Sequence, residues 1–287
     1  MAESLENLPP LREVIQTYDL GAKKSLGQNF LFDLNLTRKI ARAANLGPNT
    51  HVIEIGPGPG GLTRALLEQD IIKLTAVERD QRCVNALNDY VKPVVGDKLE
   101  IIEGDALEID PADITKAPRA IVANLPYNVA TPLLIGWLQN ATAYESMTLM
   151  FQKEVAMRIT AEVGTKAYGR LSVLAQWLCE CSRVFDVPAS AFTPPPKITS
   201  SIVRLVPKVL GDDQPAIKTI EIVTGLAFGQ RRKMLRQSLK SMVPDIQEFL
   251  KACGIEETLR ADALSVDHYI KIAKAYEAGF NSSEMNF

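Results

Sequence analysis

The sequence predicts an α/β fold with a mostly parallel central sheet, and three observations support this prediction. Short apolar runs alternate with amphipathic helical patterns from His51 to about residue 162, as they do in chains of βαβ units. A glycine-rich turn, GPGPGG at residues 56–61, follows the first apolar run and precedes a helical pattern. From Ala216 onward the apolar residues recur only at helical spacing, so we expect a smaller α-helical domain after the sheet domain.

The length of 287 residues also favours about two domains. The stretch GDDQP at residues 211–215 has the composition of a linker. We therefore predict a first domain over residues 1–208, including an N-terminal extension, and a helical domain over residues 209–287.

The elements are predicted in chain order from apolar periodicity. Helices are expected at Leu11–Tyr18, Asp33–Leu46, Asp80–Val91, Thr131–Leu138, Lys153–Glu162 and Tyr168–Glu180. Strands are expected at Val52–Ile55, Lys73–Glu78, Leu99–Glu103, Arg119–Ala123, Ser146–Phe151, Arg183–Val187 and Ile202–Val206. Asp33 is a favoured helix cap, and Pro132 is expected in a first helical turn, where proline is tolerated. Residues 23–31 and 192–197 have loop compositions.

Composition excludes several classes of protein. The formal net charge is −2, and the four cysteines and two histidines lack the spacing of a zinc site, so no metal is expected. No apolar run is long enough to span a membrane, and the first ten residues lack the features of a signal peptide. A cytoplasmic protein is the expectation.

Four distinctive residues follow predicted strands: Gly56, Glu78, Asp105 and Asn124. In parallel sheets, ligands bind beyond the carboxyl ends of the strands. Gly56, Gly58 and Gly61 satisfy the pattern G-x-G-x-x-G, and Glu78 follows about 20 residues later, where a carboxylate accepts both hydroxyls of a ribose. This holds for a nicotinamide dinucleotide and for S-adenosylmethionine alike, so both remain open at this point.

Asp105 and the stretch NLPY (Asn124 to Tyr127) narrow the choice. Asp105 can accept a hydrogen bond from an adenine amine, although a helix cap explains an aspartate there too. The stretch NLPY offers three groups that suit an amine on a planar base. They are the side-chain carbonyl of Asn124, a main-chain carbonyl aimed by Pro126 and the aromatic face of Tyr127. Two acceptors would localise the amine's lone pair for methyl transfer, and no strong base is needed. The alternative is an ordinary turn containing Asn, Pro and Tyr.

Longer motifs carry a family resemblance. They are KKSLGQNFL (Lys23–Leu31), EIGPGPGGLT, VERD, EGDAL, NLPYN, AFTPPPKITSSIV (Ala191–Val203) and AFGQRRKMLRQSL (Ala227–Leu239). With them the chain resembles the ribosomal RNA adenine N6-dimethyltransferases, the kasugamycin-sensitivity family, over nearly everything except both ends. The resemblance implies a Rossmann-like class I methyltransferase domain.

The resemblance also implies roles for individual residues. Asn29 and Leu31 would close over S-adenosylmethionine, Gly56 and Gly58 would line its methionine and ribose side, Glu78 would hold the ribose and Asp105 the adenine. Asn124, with Leu125 and Pro126, would meet both cofactor and target, while Tyr127 and Phe192 would sandwich the target adenine. The implied reaction is the methylation of N6 of two adjacent adenines in a 3′-terminal hairpin loop of 16S rRNA. The implied partner is the immature 30S subunit, and the protein is expected to be a monomer.

RNA binding needs local positive charge despite the acidic total. Arg231, Arg232, Lys233 and Arg236, with Lys240, form a basic cluster on a predicted helix, and Lys23, Lys24, Lys197 and Arg204 are further candidates. A solvated helix face is the alternative explanation for such a cluster.

Three other functions compete. A dinucleotide-dependent oxidoreductase would use the same glycine turn but leaves NLPY unexplained. A non-catalytic ribosome-assembly factor would keep the fold without needing NLPY. An enzyme that methylates large-subunit rRNA and confers antibiotic resistance would share the site, but the QRRKxLRxSL stretch and the long helical tail resemble the small-subunit type.

Overall fold

The computed structural model describes residues 5–21 and 29–279. They divide into two compact units. The first runs to Ala156 and takes in Ser182–Pro207, and the second comprises Met157–Cys181 and the described chain from Lys208 onward. The predicted division between residues 208 and 209 placed Met157–Cys181 in the first domain, whereas the structure groups this segment with the second unit. The reason is that a helix in this segment packs against the C-terminal helices.

The strands of the described residues are β1 Phe30–Leu31, β2 His51–Ile55, β3 Lys73–Glu78, β4 Leu99–Glu103, β5 Arg119–Ala123, β6 Ser146–Gln152, β7 Cys179–Val187, β8 Phe192–Thr193 and β9 Ser200–Pro207. The helices are α1 Leu11–Thr17, α2 Leu34–Ala43, α3 Gly61–Leu67, α4 Gln81–Ala86, α5 Lys92–Val95, α6 Pro111–Ile114, α7 Tyr127–Leu138, α8 Lys153–Ile159, α9 Arg170–Leu178, α10 Ile217–Gly229, α11 Leu235–Ser238, α12 Ile246–Ala252 and α13 Val266–Glu277.

The central sheet has the strand order β4-β3-β2-β5-β6-β9-β7. Strands β2 to β6 pair in parallel, and β9 runs antiparallel to β6. His51 lies opposite Lys73 on one side and Arg119 on the other, so β2, β3 and β5 end at the same edge. The predicted mostly parallel sheet is confirmed, and the register brings the segments that follow each strand together.

The core of the first unit forms where apolar strand residues meet α2 and α3. Val52, Leu74 and Val122 from the sheet join Ile40 and Leu66 from the helices in one buried cluster. Nearly every residue of β2, β3 and β5 is buried, because strands covered on both faces need apolar side chains on both. The sheet is thus a rigid support for the loops at its carboxyl edge.

Several helix boundaries differ from the sequence prediction, and those of α2 and α7 lie nearest the segments that follow the strands. Asp33 caps α2 as expected, accepting hydrogen bonds from the amides of Asn35 and Leu36, but α2 ends at Ala43 rather than Leu46. Helix α7 begins at Tyr127 rather than Thr131. Pro126 is its N-cap, and the Pro126 carbonyl accepts hydrogen bonds from the two amides three and four residues later. Pro132 consequently lies inside the helix and not in its first turn.

The second unit contains α9 to α13. Tyr168, Phe228 and Tyr269 form an aromatic cluster at its centre. His268 has a structural role: its Nδ1 accepts a hydrogen bond from the Ser265 amide, and the Ser265 hydroxyl oxygen accepts one from the His268 amide. This reciprocal cap begins α13.

Candidate active site

A cavity opens at the carboxyl edge of the parallel strands, within the first unit. Ten of the residues predicted from sequence line it: Asn29, Leu31, Gly56, Gly58, Glu78, Asp105, Asn124, Leu125, Pro126 and Tyr127. They come from the ends of β1, β2, β3, β4 and β5. The fold therefore gathers these predicted cofactor and base contacts into one space, while residues 22–28, which carry Lys23 and Lys24, lie outside the described residues.

The glycine turn connects β2 to α3 in a conformation that only glycine adopts readily. Gly56, Gly58 and Gly60 have φ values of 68°, 55° and 89°, all in the left-handed region. A Cβ on Gly58 would also lie 3.1 Å from the Phe30 ring. The turn therefore needs glycine for its own geometry and for the close packing of Phe30, which itself lines the cavity.

Glu78 is buried at the end of β3 and holds the turn in place. Its Oε2 accepts a hydrogen bond from the Gly58 amide at 2.9 Å, and its Oε1 accepts from the amides of Arg79 and Asp80, both at 2.8 Å. Burial raises the pKa of this carboxyl group, and the three amides oppose that shift. Since a carboxylate has about four acceptor positions, Glu78 keeps acceptor capacity beside these three amides, and its contact with the ribose hydroxyls stays a prediction.

Asp105 lies just beyond β4 and faces a cation. Its Oδ2 is 3.0 Å from Arg79 Nη1, and its Oδ1 accepts a hydrogen bond from the Leu107 amide at 3.0 Å. Both interpretations of Asp105 are therefore compatible with the structure, because the carboxylate caps its own turn and still lines the cavity. Arg79 was missed in the sequence, although its place directly after Glu78 is a signal for a side chain at the same strand end.

Asn124 follows β5, and a main-chain carbonyl from the segment before β1 orients its side chain. Its Nδ2 donates to the Asn29 carbonyl at 3.4 Å, so Oδ1 is the end of the amide left to accept. The Pro126 carbonyl is used by the first turn of α7, whereas no main-chain amide of the described residues donates to the Leu125 carbonyl. The two acceptors expected from NLPY are thus the Asn124 side chain and the Leu125 main chain.

The two predicted stacking aromatics differ in position. Tyr127 is half-buried and lines the cavity. Its hydroxyl shares a hydrogen bond with Ser200 Oγ at 2.6 Å. Phe192 is only 3% exposed, packs in the main core cluster and does not line the cavity. In β8 it pairs with Leu31 of β1, so the expected sandwich is not formed in this structure, and a stacking role for Phe192 stays a prediction.

Glu54 is a second cavity residue that the sequence analysis passed over. It lies in β2, 1% exposed, and its Oε2 has no hydrogen-bond partner among the described residues. Burial raises its pKa to about 8. A charged residue inside an apolar strand, two residues before the glycine turn, was the available signal. Glu54 lines the cavity, so it is a candidate for contact with a ligand there.

The basic cluster lies in the second unit, and the prediction that it sits on a helix is wrong for most of it. Arg231, Arg232 and Lys233 form the turn between α10 and α11. Arg231 approaches Asp262 at 3.4 Å and Arg236 approaches Glu257 at 2.8 Å. Arg232 and Lys233 are exposed and have no ion pair among those that the structure describes. The cluster thus combines two cations paired with acidic side chains and three exposed ones, Arg232, Lys233 and Lys240.

The described residues offer neither a metal site nor a membrane-spanning helix. They contain no group of three or more His, Cys, Asp or Glu side chains that could hold a metal ion, and Cys179 and Cys181 are free thiols whose pKa values burial raises to about 12. None of the helices described here combines the length and apolar character that crossing a bilayer requires.

Comparison with known proteins identifies the family. Residues 20–278 match the family described as ribosomal RNA adenine dimethylase. A Rhodospirillum rubrum protein named ribosomal RNA small subunit methyltransferase A is 55% identical over 95% of this chain and 94% of its own. A Xanthobacter autotrophicus protein of the same name is 53% identical over 95% and 96%.

Solved structures agree with this match. A dimethyladenosine transferase from Plasmodium falciparum has a TM-score of 0.75 at 26% identity, covering 87% of this chain and 98% of that one. The 23S rRNA methyltransferase ErmE has a TM-score of 0.64 at 26% identity, covering 87% and 100%. The resemblance inferred from the motifs and the α/β Rossmann-like fold are both confirmed, and the chain belongs to the ribosomal RNA adenine dimethylase family.

Proposed function

We propose that this protein transfers methyl groups from S-adenosylmethionine to N6 of two adjacent adenines in a hairpin loop near the 3′ end of small-subunit rRNA. The observation that carries the proposal is the meeting of Asn124, Leu125 and Tyr127 with the glycine turn around one cavity. Family membership supports the reaction. Relatives named for the small subunit match at 53 to 55% identity, which supports the choice of RNA.

The cavity residues suit S-adenosylmethionine. Gly58 lacks the Cβ that would push Phe30 away from the turn, so the ligand can approach the main chain at this position. Glu78 would hold the ribose and Asp105 the adenine amine, each with a carboxylate oxygen at a strand end. The unpartnered Oε2 of Glu54 would face the cationic part of the cofactor. When bound, S-adenosylmethionine supplies a methyl group attached to a positively charged sulfur.

Asn124 and Leu125 prepare the target amine. The Asn124 side-chain carbonyl and the Leu125 main-chain carbonyl accept its two hydrogens, which localises the nitrogen lone pair that is otherwise delocalised into the ring. With the amine held in this way, the bound cofactor would supply the methyl group, and the methylated amine would release one proton to solvent. Because holding the reactants in near-attack geometry contributes roughly 7–11 kcal/mol, positioning by these two acceptors supplies much of the rate.

Tyr127 receives the base itself. An adenine must leave its stack to enter the cavity, which costs a few kcal/mol. Stacking on an aromatic side chain is worth roughly 1–3 kcal/mol per base and offsets this cost. A loop adenine is the favoured target because it is already partly unstacked.

Arg232 and Lys233 are the candidates for phosphate contacts, since they are exposed and not used in described ion pairs. The proposed partner is 16S rRNA in immature 30S subunits, and the proposed setting is a monomer in the cytoplasm. The oxidoreductase alternative is not supported, because the family is one of methyltransferases. The large-subunit alternative is less well supported, since ErmE shares 26% identity with this chain, whereas the relatives named for the small subunit share 53 to 55%.

The test is methylation of immature small subunits. The protein is incubated with them and with S-adenosylmethionine carrying a labelled methyl group, and the modified nucleotides are mapped. We expect label on N6 of two adjacent adenines of one 3′ hairpin loop. Label confined to large-subunit RNA, or none on any RNA despite measured cofactor binding, would overturn the proposal.

The variant Asn124→Ala tests the role of Asn124 in methyl transfer. It removes one of the two acceptors, and we expect the methylation rate to fall at least 100-fold, as for removal of a preorganised active-site hydrogen-bond partner. Asn49→Ala, an exposed asparagine before β2 at the opposite edge of the sheet, should leave the rate unchanged. Equal rates for the two variants would exclude the role given to Asn124.

A further inference from the structure

A hydrogen bond joins two distant segments beside the cavity. The Tyr127 hydroxyl and Ser200 Oγ lie 2.6 Å apart, although 73 residues separate them in the chain. Tyr127 is the first residue of α7 and Ser200 the first of β9. The pair therefore ties the residue after Asn124-Leu125-Pro126 to a strand of the central sheet.

Ser200 is a rigid partner. It is fully buried, lies opposite Gln152 in the antiparallel pairing of β9 with β6, and follows Thr199, whose carbonyl accepts a hydrogen bond from the Lys153 amide at 2.9 Å. A buried hydroxyl without a hydrogen-bond partner is unfavourable. Since no other side-chain bond to Ser200 occurs among the described residues, Tyr127 is the group that satisfies it.

Tyr127 gains orientation from this bond. Its ring lines the cavity and Tyr127 is only half-buried. Packing therefore covers only part of its surface. Phe192 does not line the cavity in this structure. The direction of the Tyr127 ring therefore depends on its first-turn backbone and on the anchor at its hydroxyl.

We propose that Ser200 is a positioning residue that fixes the Tyr127 ring against the incoming adenine through the hydroxyl–hydroxyl hydrogen bond. This inference rests on the proposed function, in which Tyr127 stacks on the target base. It adds a residue that touches neither the base nor the cofactor and acts only through Tyr127. A misplacement of about 1 Å can reduce a rate about 100-fold, so loss of the anchor should slow methyl transfer without weakening cofactor binding.

Ser201 is the matched control. It is as buried as Ser200 and lies next to it in β9, but successive strand residues face opposite sides, and its Oγ donates to Asp186 at 2.6 Å instead. Ser201→Ala therefore removes a buried hydroxyl and a hydrogen bond of the same kind without touching Tyr127. Any general effect of losing a buried serine in β9 appears in both variants.

The experiment is a double-mutant cycle. Single-turnover methylation of an rRNA hairpin is measured for Ser200→Ala, Tyr127→Phe, the double variant, Ser200→Thr and Ser201→Ala, with cofactor Kd from calorimetry and Tm for each. We expect Ser200→Ala and Tyr127→Phe each to slow transfer about tenfold with cofactor Kd within about twofold of wild type. The double variant should be no slower than either single variant, Ser200→Thr should restore most of the rate, and Ser201→Ala should lower only Tm.

Several results would overturn the inference. An unchanged rate for Ser200→Ala, multiplied losses in the double variant, or equal slowing by Ser201→Ala would each show that Ser200 does not act through Tyr127. If Ser200→Ala does not fold, Tyr127→Phe and the Thr variant still decide, because unchanged transfer in Tyr127→Phe excludes the anchor. Wild-type protein that binds cofactor but does not methylate adenine would instead refute the proposed function, and this inference with it.

Discussion

Glu54 has an environment far from that of a free side chain. A carboxyl group in the middle of a buried strand loses its hydration, and this desolvation raises its pKa from 4.5 to about 8. The nearby Glu78 raises it further. At neutral pH the group is largely protonated in the folded protein without ligand, so it is poised to ionise when a cation binds next to it.

This shift has a consequence for stability. Below pH 4.5 the folded and unfolded chains both hold the proton, and the contribution of Glu54 is fully present. As pH rises from 4.5 toward 8, the unfolded chain releases the proton before the folded one, so the free energy of unfolding falls, by up to a few kcal/mol. We therefore predict that Glu54→Gln, which does not titrate, gains stability relative to wild type as pH rises from 5 to 8.

Urea denaturation of both proteins at pH 5, 6.5 and 8 without cofactor measures this difference. Glu180→Gln is the control, because Glu180 is exposed on β7 and should follow the wild-type curve. If the stability of Glu54→Gln ran parallel to that of wild type over this range, the pKa of Glu54 would not be raised in the folded state.

At the scale of elements, the glycine turn contacts four elements of the first unit, β1, β2, β3 and α3. It follows β2, begins α3, and receives the Phe30 ring of β1 against Gly58. The Gly58 amide in turn donates to Glu78 of β3. The turn therefore sets the positions of Phe30 and Glu78, which both line the cavity. An added side chain on the turn would disturb both.

We predict that Gly58→Ala weakens both folding and cofactor binding. An L-residue at φ 55° is disfavoured by about 1–2 kcal/mol, and its Cβ would press on the Phe30 ring at 3.1 Å. We expect Tm to fall and the Kd for S-adenosylmethionine to rise about tenfold, which corresponds to about 1.4 kcal/mol. Thermal melting and calorimetry measure the two effects.

Gly136→Ala is the control for this prediction. Gly136 is exposed inside α7, a Cβ there meets nothing within 4 Å, and its φ is not in the left-handed region. Alanine is the better helix former, so this change should stabilise the protein by roughly 0.5–1 kcal/mol. Similar behaviour of the two variants would mean that the conformation of the turn does not matter for cofactor binding.

At the scale of the whole molecule, the two units differ in the chemistry they offer. The first carries the cavity, and the second carries the basic turn of Arg231, Arg232 and Lys233. With a formal net charge of −2, the chain attracts RNA only through local clusters of cations. Arg231 and Arg236 are engaged with acidic side chains. The exposed Arg232 and Lys233 have no ion pair among the described residues, so these two cations of the basic turn are available to phosphate.

We predict that replacing both Arg232 and Lys233 with Ala weakens binding to small-subunit rRNA and lowers its salt dependence. Each lost phosphate contact removes about 0.7 to 0.9 from the slope of log K against log salt concentration, so the slope should decrease by about 1.4 to 1.8. Binding titrations at several salt concentrations measure it. The double variant Lys251→Ala, Lys271→Ala removes two exposed cations of the same unit and should keep the wild-type slope. Equal slopes for all three proteins would assign Arg232 and Lys233 to an ordinary solvated surface.

Most of the cavity was readable from the sequence because its residues follow strands directly. Parallel strands end at one edge, so Gly56, Glu78, Asp105 and Asn124 had to meet once the strands were recognised. The apolar runs that identify those strands are local patterns, and the structure reproduces β3, β4 and β5 with their predicted bounds. The same local patterns, read as motifs, also led to the correct family.

What only the tertiary structure decided concerns contacts between segments distant in the chain. Phe192 carries the same motif whether its ring faces a base or the core, and only the pairing of β8 with β1 places it in the core. Ser200 has no sequence signal, because its partner Tyr127 lies 73 residues away. The grouping of Met157–Cys181 with the second unit likewise follows from helix packing. Periodicity records which face of an element is apolar, but not which distant side chain that face meets.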